Sequence, residues 1–184
     1  MTLDQPEKIG SDMRVTGFAL AAMTLAMAAA GCATTGARDY RAVATLEPTK
    51  GSETAGTIAF LQRGDKVLVT ADVRGLKPNQ EHGFHVHEKG DCSSGDGMSA
   101  GGHFNPDGVA HGAAAGHAGD MPNLKADASG NAHASFEMKK MTVAEGQFSI
   151  VGKGLIIHRD ADDYMTQPTG NAGPRLACSV IKIV

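Results

Sequence analysis

Tryptophan is absent from this chain, and aromatic residues make up only 4% of it. A surface that stacks nucleic-acid bases interleaves aromatic rings with basic residues. The chain has neither that pattern nor a basic stripe, and its net charge is −3, so nucleic acid is not an expected partner. The weakly acidic balance does not favour an anionic substrate either, and attraction of an anion would have to be local. Beyond residue 31 there is no long apolar run, no internal repeat and no convincing helical pattern. What is plentiful is glycine, at 24 of 184 residues. A glycine-rich, aromatic-poor chain with short apolar runs suggests a β protein with many turns.

Cysteine is scarce and odd in number: Cys32, Cys92 and Cys178. Residues 15–31 read VTGFALAAMTLAMAAAG, uncharged throughout. That is short for a membrane span but suits the apolar part of an export signal. Asp4, Glu7 and Asp12 are unusual ahead of such a segment, so Met13 is the expected true start and 1–31 the expected signal. The run ends in Ala29-Ala30-Gly31-Cys32, which resembles a bacterial lipobox with Cys32 as the lipidated first residue. The alternative is ordinary signal-peptidase cleavage after Ala30. Acylation with more than one chain would anchor the protein firmly. Ala33 in place of Asp favours the outer membrane, so the expected location is the periplasm, tethered to that membrane through Cys32. Residues 32–39 read as a polar tether and 40–184 as one domain. Export leaves Cys92 and Cys178 in an oxidising compartment, where a bridge is expected rather than two free thiols. In the chain-entropy model, such a long loop gives roughly 4–5 kcal/mol of stabilisation.

From Tyr40 the pattern is β. Runs at 41–46, 56–62, 66–73, 82–88, 132–138, 148–158 and 175–184 predict seven or eight short strands. Val67, Val69, Ala71 and Val73 alternate onto one face, and Arg63-Gly64-Asp65 predicts a hairpin turn. Apolar residues on both faces of 175–184 suggest a strand covered on both sides. The set points to an antiparallel sandwich or flattened barrel. Residues 89–130 are glycine-rich and poor in β-branched residues, and loops this long are usually functional. The expectation is that metal and a disulfide, not a hydrophobic core, order this segment.

That loop carries most of the ligand-type residues. His85 and His87 lie two apart on a predicted strand, which puts both rings on one face with backbones roughly 7 Å apart. Alone, such a pair is more often two surface histidines. His103, His111, His117 and Asp120 follow, and three His with one Asp suit a closed zinc site. His158 ends the apolar run Gly154-Leu155-Ile156-Ile157, where it could reach a metal from a neighbouring strand. Imidazole suits both copper and zinc, so seven donors could serve two ions. His82 reads as a buried structural residue and His133 as solvent-facing.

Several motifs resemble those of the copper/zinc superoxide dismutases, and of their bacterial members in particular. They are Gly83-Phe84-His85-Val86-His87-Glu88 with Gly90-Asp91, Gly102-His103-Phe104-Asn105-Pro106, His117-Ala118-Gly119-Asp120, Met121-Pro122-Asn123, Ala161-Asp162-Asp163, and Gly170-Asn171-Ala172-Gly173-Pro174-Arg175-Leu176-Ala177-Cys178. The resemblance covers roughly residues 40–184. It implies an all-β Greek-key flattened β-barrel or sandwich of about eight antiparallel strands, with long metal-binding and active-site loops. It implies conversion of superoxide to oxygen and hydrogen peroxide by copper redox cycling, with a structural zinc. His85, His87, His103 and His158 match the copper ligands. His103, His111, His117 and Asp120 match the zinc ligands, so His103 would bridge the ions and supply a proton. Asp162 matches a carboxylate linking a copper ligand to a zinc ligand. Arg175 matches the arginine that attracts superoxide, Thr169 a residue of the substrate channel, and Cys92 with Cys178 the disulfide. Bacterial relatives are monomers or homodimers. The stretch from His111 to His117 is shorter than in many relatives, and the 159–169 loop lacks lysine. The competing reading is a copper/zinc-binding lipoprotein without enzymatic activity.

Overall fold

A computed structural model describes residues 41–112 and 116–184. The expected signal, Cys32 and the tether lie outside the described residues. The strands are β1 (Arg41–Pro48), β2 (Ala55–Arg63), β3 (Lys66–Arg74), β4 (Glu81–His82), β5 (Phe84–His87), β6 (Leu124–Lys125), β7 (Ala132–Met138), β8 (Gly154–His158), β9 (Arg175–Val180) and β10 (Lys182–Ile183). The helical content of the described residues is one 3-10 turn, Met98–Ala100.

β1 to β3 follow the period-2 rule. Ala42, Ala44 and Leu46, then Ile58 and Phe60, then Val67, Val69, Ala71 and Val73, are buried while most intervening residues are not. β2 and β3 pair from Ala55↔Arg74 to Arg63↔Lys66, closed by Gly64 at φ 59°, which favours glycine in a tight hairpin turn. β7 extends this sheet beyond β3. On the other side β9 returns beside β1 through Glu47↔Cys178 and Pro48↔Ala177, so the order β9-β1-β2-β3 is that of a Greek key. β8 and then β5 complete the path, and β10 pairs with the start of β1. The result is a curled antiparallel all-β half-barrel, with the β4–β6 pair as a second small sheet.

The site-bearing strands are buried on both faces. In β5, Phe84 and Val86 enter the main core and His85 and His87 point to the opposite face. In β8, Leu155 and Ile157 join that core, while Ile156 packs with Ala100 and Cys178 in a second cluster. Full burial of each such side chain contributes roughly 1.5–3 kcal/mol. β9 is likewise covered on two sides, with Ala177 in one cluster and Cys178 in the other.

Three expectations change. The 82–88 run splits at Gly83, whose N–H donates to the Asp160 carbonyl; a Cβ there would lie 2.7 Å from Ala172 Cβ. The 148–158 run, in which Gly152 and Gly154 are expected breaks, is a strand only from Gly154, and its first half forms a single bridge, Thr142↔Ser149. Residues 89–130 do enter the hydrophobic core, through Phe104, Ala118, Met121, Leu124 and Ala126. No period betrays them, because these apolar residues are spaced irregularly along the segment.

Candidate metal centre

β5 provides the platform on which the loop is built. Val86 N–H donates to the Gly119 carbonyl and Phe104 N–H to the Val86 carbonyl, which sets His103 opposite His87 and Asp120 opposite His85. β8 pairs with β5 through His85↔Ile156, and His158 closes that strand. Local alternation and backbone pairing therefore bring donors from four segments together. His85, His87, His103 and His158 offer one nitrogen each, all within 4.8 Å of one another; His103, His111 and His117 with a carboxylate oxygen of Asp120 form a second such set. His103 belongs to both sets, and its ring centroid is 4.0 Å from that of His85.

The hydrogen bonds decide which nitrogen each ring presents. A carboxylate or carbonyl only accepts, so the ring nitrogen facing it carries the proton. His85 Nε2 donates to Asp162 Oδ2 at 2.8 Å and His111 Nε2 to Asp162 Oδ1 at 2.9 Å. His87 Nδ1 donates to the Gly101 carbonyl at 2.9 Å, and His158 Nδ1 to the Gly173 carbonyl at 3.0 Å. In the neutral rings this leaves bare lone pairs on His85 Nδ1, His111 Nδ1, His87 Nε2 and His158 Nε2. The last two stand 3.4 Å apart with no proton between them. His85 Nδ1, His103 Nε2, His111 Nδ1 and His117 Nδ1 are buried without a hydrogen-bond partner. His111 Nδ1 lies 2.8 Å from Asp120 Oδ2, close but without hydrogen-bond alignment. His103 Nδ1 donates to Asp120 Oδ1 at 2.8 Å, and His117 Nδ1 lies 3.3 Å from the same oxygen. Converging lone pairs and a carboxylate repel one another unless cations lie among them, so these residues fit two metal ions. Anchoring the second nitrogen of each ring is how proteins orient metal-binding imidazoles.

The electrostatics agree. Burial pushes His85 down to about 4 and His158 to about 3, and holds His87 well below 6.5. Burial also lowers His117. These rings are neutral near pH 7, the state that binds metal. For Asp162, burial alone would raise the pKa, but hydrogen bonds from His85, His111 and the Tyr164 N–H hold it far below the carboxylate range. Asp120 is also lowered, because the His103 bond and the surrounding imidazoles outweigh burial.

Arg175 begins β9 directly across from His158, next to a register irregularity in β8. Its Nη1 and Nη2 donate to the carbonyls of Gly97 and Gly101, each at 2.5 Å. The Gly101 carbonyl is shared with His87 Nδ1, so the arginine and that ring hold one peptide between them. Burial draws the Arg175 pKa down against the pull of Asp96, yet a guanidinium stays charged at any working pH. Cys92 and Cys178 form a disulfide, which ties this 92–101 loop to β9. Thr169 is half-buried beside Gly170. His82 is buried with Nδ1 2.9 Å from the His158 carbonyl, and His133 is exposed beside Asp72. The sequence did not reveal the carbonyls of Gly97, Gly101 and Gly173, nor Gln167, which bonds to the His111 backbone. Asn123 carried only a motif match; it bonds reciprocally to the Asp162 backbone.

Residues 54–181 match the family described as copper/zinc superoxide dismutase. A Cu-Zn superoxide dismutase of Paramecium bursaria Chlorella virus 1 is 43% identical over 150 residues, covering 76% of each chain. Cu-Zn superoxide dismutase 2 of Aquifex aeolicus (strain VF5) is 40% identical over 152 residues, covering 79% of this chain and 88% of that one. The crystal structure of a SOD-like protein from Bacillus subtilis superposes with a TM-score of 0.69 at 34% identity, over 75% of this chain and 96% of that one. A curled antiparallel half-barrel, two four-donor sets sharing one imidazole and these likenesses have one explanation: the chain belongs to the copper/zinc superoxide dismutase family, whose cofactors are copper and zinc.

Proposed function

We propose that the chain is a superoxide dismutase, converting two superoxide anions and two protons to one oxygen and one hydrogen peroxide. The observation that carries this reading is the pair of donor sets joined at His103. In it, His85, His87, His103 and His158 hold copper, and His103, His111, His117 and Asp120 hold zinc. Bound copper supplies the alternating one-electron oxidation and reduction, and zinc, which has no redox chemistry, a fixed positive charge. Arg175 draws in the anion, its charge being felt at both His87 and His158. His103 Nε2, bare in this ring, would take up a proton from water and pass it to the reduced substrate, while its Nδ1 stays on the Asp120 side. Asp162 keeps the protons of His85 and His111 on Nε2, away from the metal positions. Thr169 lines the approach. For location, the reading is a periplasmic protein tethered to the outer membrane through lipidated Cys32, as a monomer or homodimer.

A second reading draws on the Bacillus subtilis relative, which is described as SOD-like: a copper/zinc-binding lipoprotein without turnover. Metal analysis and superoxide decay, with and without a chelator, separate the two. Dismutation requires bound copper and zinc and decay that chelation abolishes and copper restores. Both metals bound without faster decay leaves the binding lipoprotein, and neither metal bound removes both readings. An unmodified Cys32 in the mature protein, by mass spectrometry, removes the anchor.

A further inference from the structure

The backbone of His111 is held by a side chain from another loop. Gln167 stands between β8 and β9, 56 positions further along the chain. Its Oε1 accepts from the His111 N–H at 2.9 Å, and its Nε2 donates to the His111 carbonyl at 2.9 Å. One planar amide thus satisfies both backbone groups of a single residue, as an adjacent strand would. The same Nε2 is 3.3 Å from the Met165 carbonyl, which ties the amide to its own loop. The His111 ring is anchored separately, by the bond from Nε2 to Asp162 in that loop.

Local sequence cannot do this work. Residues 112–116 are Gly-Ala-Ala-Ala-Gly and contribute nothing larger than a methyl group. The bond to Asp162 holds the buried ring at Nε2, and the Gln167 amide holds the backbone of the same residue at its N–H and its carbonyl. Ring and backbone are thus held from the same loop, and Nδ1 lies 2.8 Å from Asp120 Oδ2.

We propose that Gln167 is a positioning residue for the zinc-binding set, holding His111 in place and so setting zinc affinity. The inference rests on the zinc reading of His103, His111, His117 and Asp120. Gln167 itself is exposed, so its loss is felt in affinity more than in folding. Residues that orient a metal ligand from outside typically change affinity 10–100-fold when replaced.

The test compares Gln167→Met with the parent protein, using zinc in competition with a chelator, cobalt(II) absorption in the zinc position, and amide hydrogen exchange. The expected result is zinc binding about 10-fold weaker, altered cobalt bands, and faster exchange at the His111 amide. Copper affinity and exchange along β8 and β9 are expected to stay as in the parent. Zinc affinity within about twofold of the parent overturns the proposal, as does an equal fall in zinc and copper affinity with faster exchange throughout β8 and β9. Failure of the parent itself to bind zinc would instead sink the zinc reading. The clamp would then be judged at His111 alone, where unchanged exchange in Gln167→Met overturns it.

Discussion

At the scale of single residues, the centre depends on groups that fix other groups. Arg175 spends two N–H groups on the carbonyls of Gly97 and Gly101 and keeps its charge near His87 and His158. Arg175→Glu is expected to retain both metals and to slow turnover about tenfold or more at low ionic strength. The deficit should shrink as salt screens the field. Unchanged turnover across a salt series would remove Arg175 as the guide. Gly170 is needed for a different reason. It has φ 64°, and a Cβ there would overlap Asp162 Oδ1 and fall 2.7 Å from His111 Nε2. Asp162 cannot retreat without giving up its bonds to both imidazoles. Gly170→Ala is therefore expected to cost about 1–3 kcal/mol, as strained backbone positions do, and to weaken zinc binding. Urea unfolding and a zinc titration would check both, and parent-like values would show that the loop yields freely.

At the scale of elements, the disulfide acts through the loop it holds. The 92–101 loop supplies the two carbonyls that hold Arg175, those of Gly97 and Gly101, and the second also orients His87. The bond between Cys92 and Cys178 attaches that loop to β9, the strand that also carries Arg175. Replacing both cysteines by serine is expected to lower stability by about 2–5 kcal/mol. It should lower turnover as well, because His87 and Arg175 lose their shared anchor. Denaturant unfolding with a dismutation assay tests this, and full activity in the doubly substituted protein would mean that packing of the Met98–Ala100 turn holds the loop unaided. The strands themselves are legible in the sequence, since Val67, Val69, Ala71 and Val73 announce a half-buried strand by period alone. The core role of Phe104, Ala118 and Met121 is not. They are isolated apolar residues among glycines, and only backbone pairing with β5 directs them inward.

At the scale of the whole molecule, the neutral imidazoles link stability to pH. In the metal-free protein His85 and His158 sit at about 4 and about 3 in the folded state, against 6.5 for an ordinary imidazole. Between these values the unfolded chain binds protons that the folded chain refuses, so stability rises with pH. It is fullest above about pH 6.5 and falls as pH drops toward 4. Asp162, depressed below 3.8, adds stability that is present above that value and lost as pH falls further. Denaturation midpoints of the metal-free protein from about pH 8 to 4 should therefore decline. A flat profile would show that these rings are not held neutral. Bound metal is expected to raise the unfolding temperature as its free concentration increases, since it binds only the assembled donors.

The identity and order of the seven donors, the cysteine pair and the alternating strands were determined by the sequence. Residue type and period 2 are local chemistry and need no partner to be read. The tertiary structure alone decided which nitrogen of each ring is bare, because that depends on whether a carbonyl or Asp162 meets the other one. It alone brings both sets within reach of His103, the bridging place that the family resemblance implied, because β5 must first pair with β8 and with the loop. It also disclosed Gln167, an ordinary exposed residue whose significance lies in a backbone 56 positions away, a distance across which no local pattern carries information.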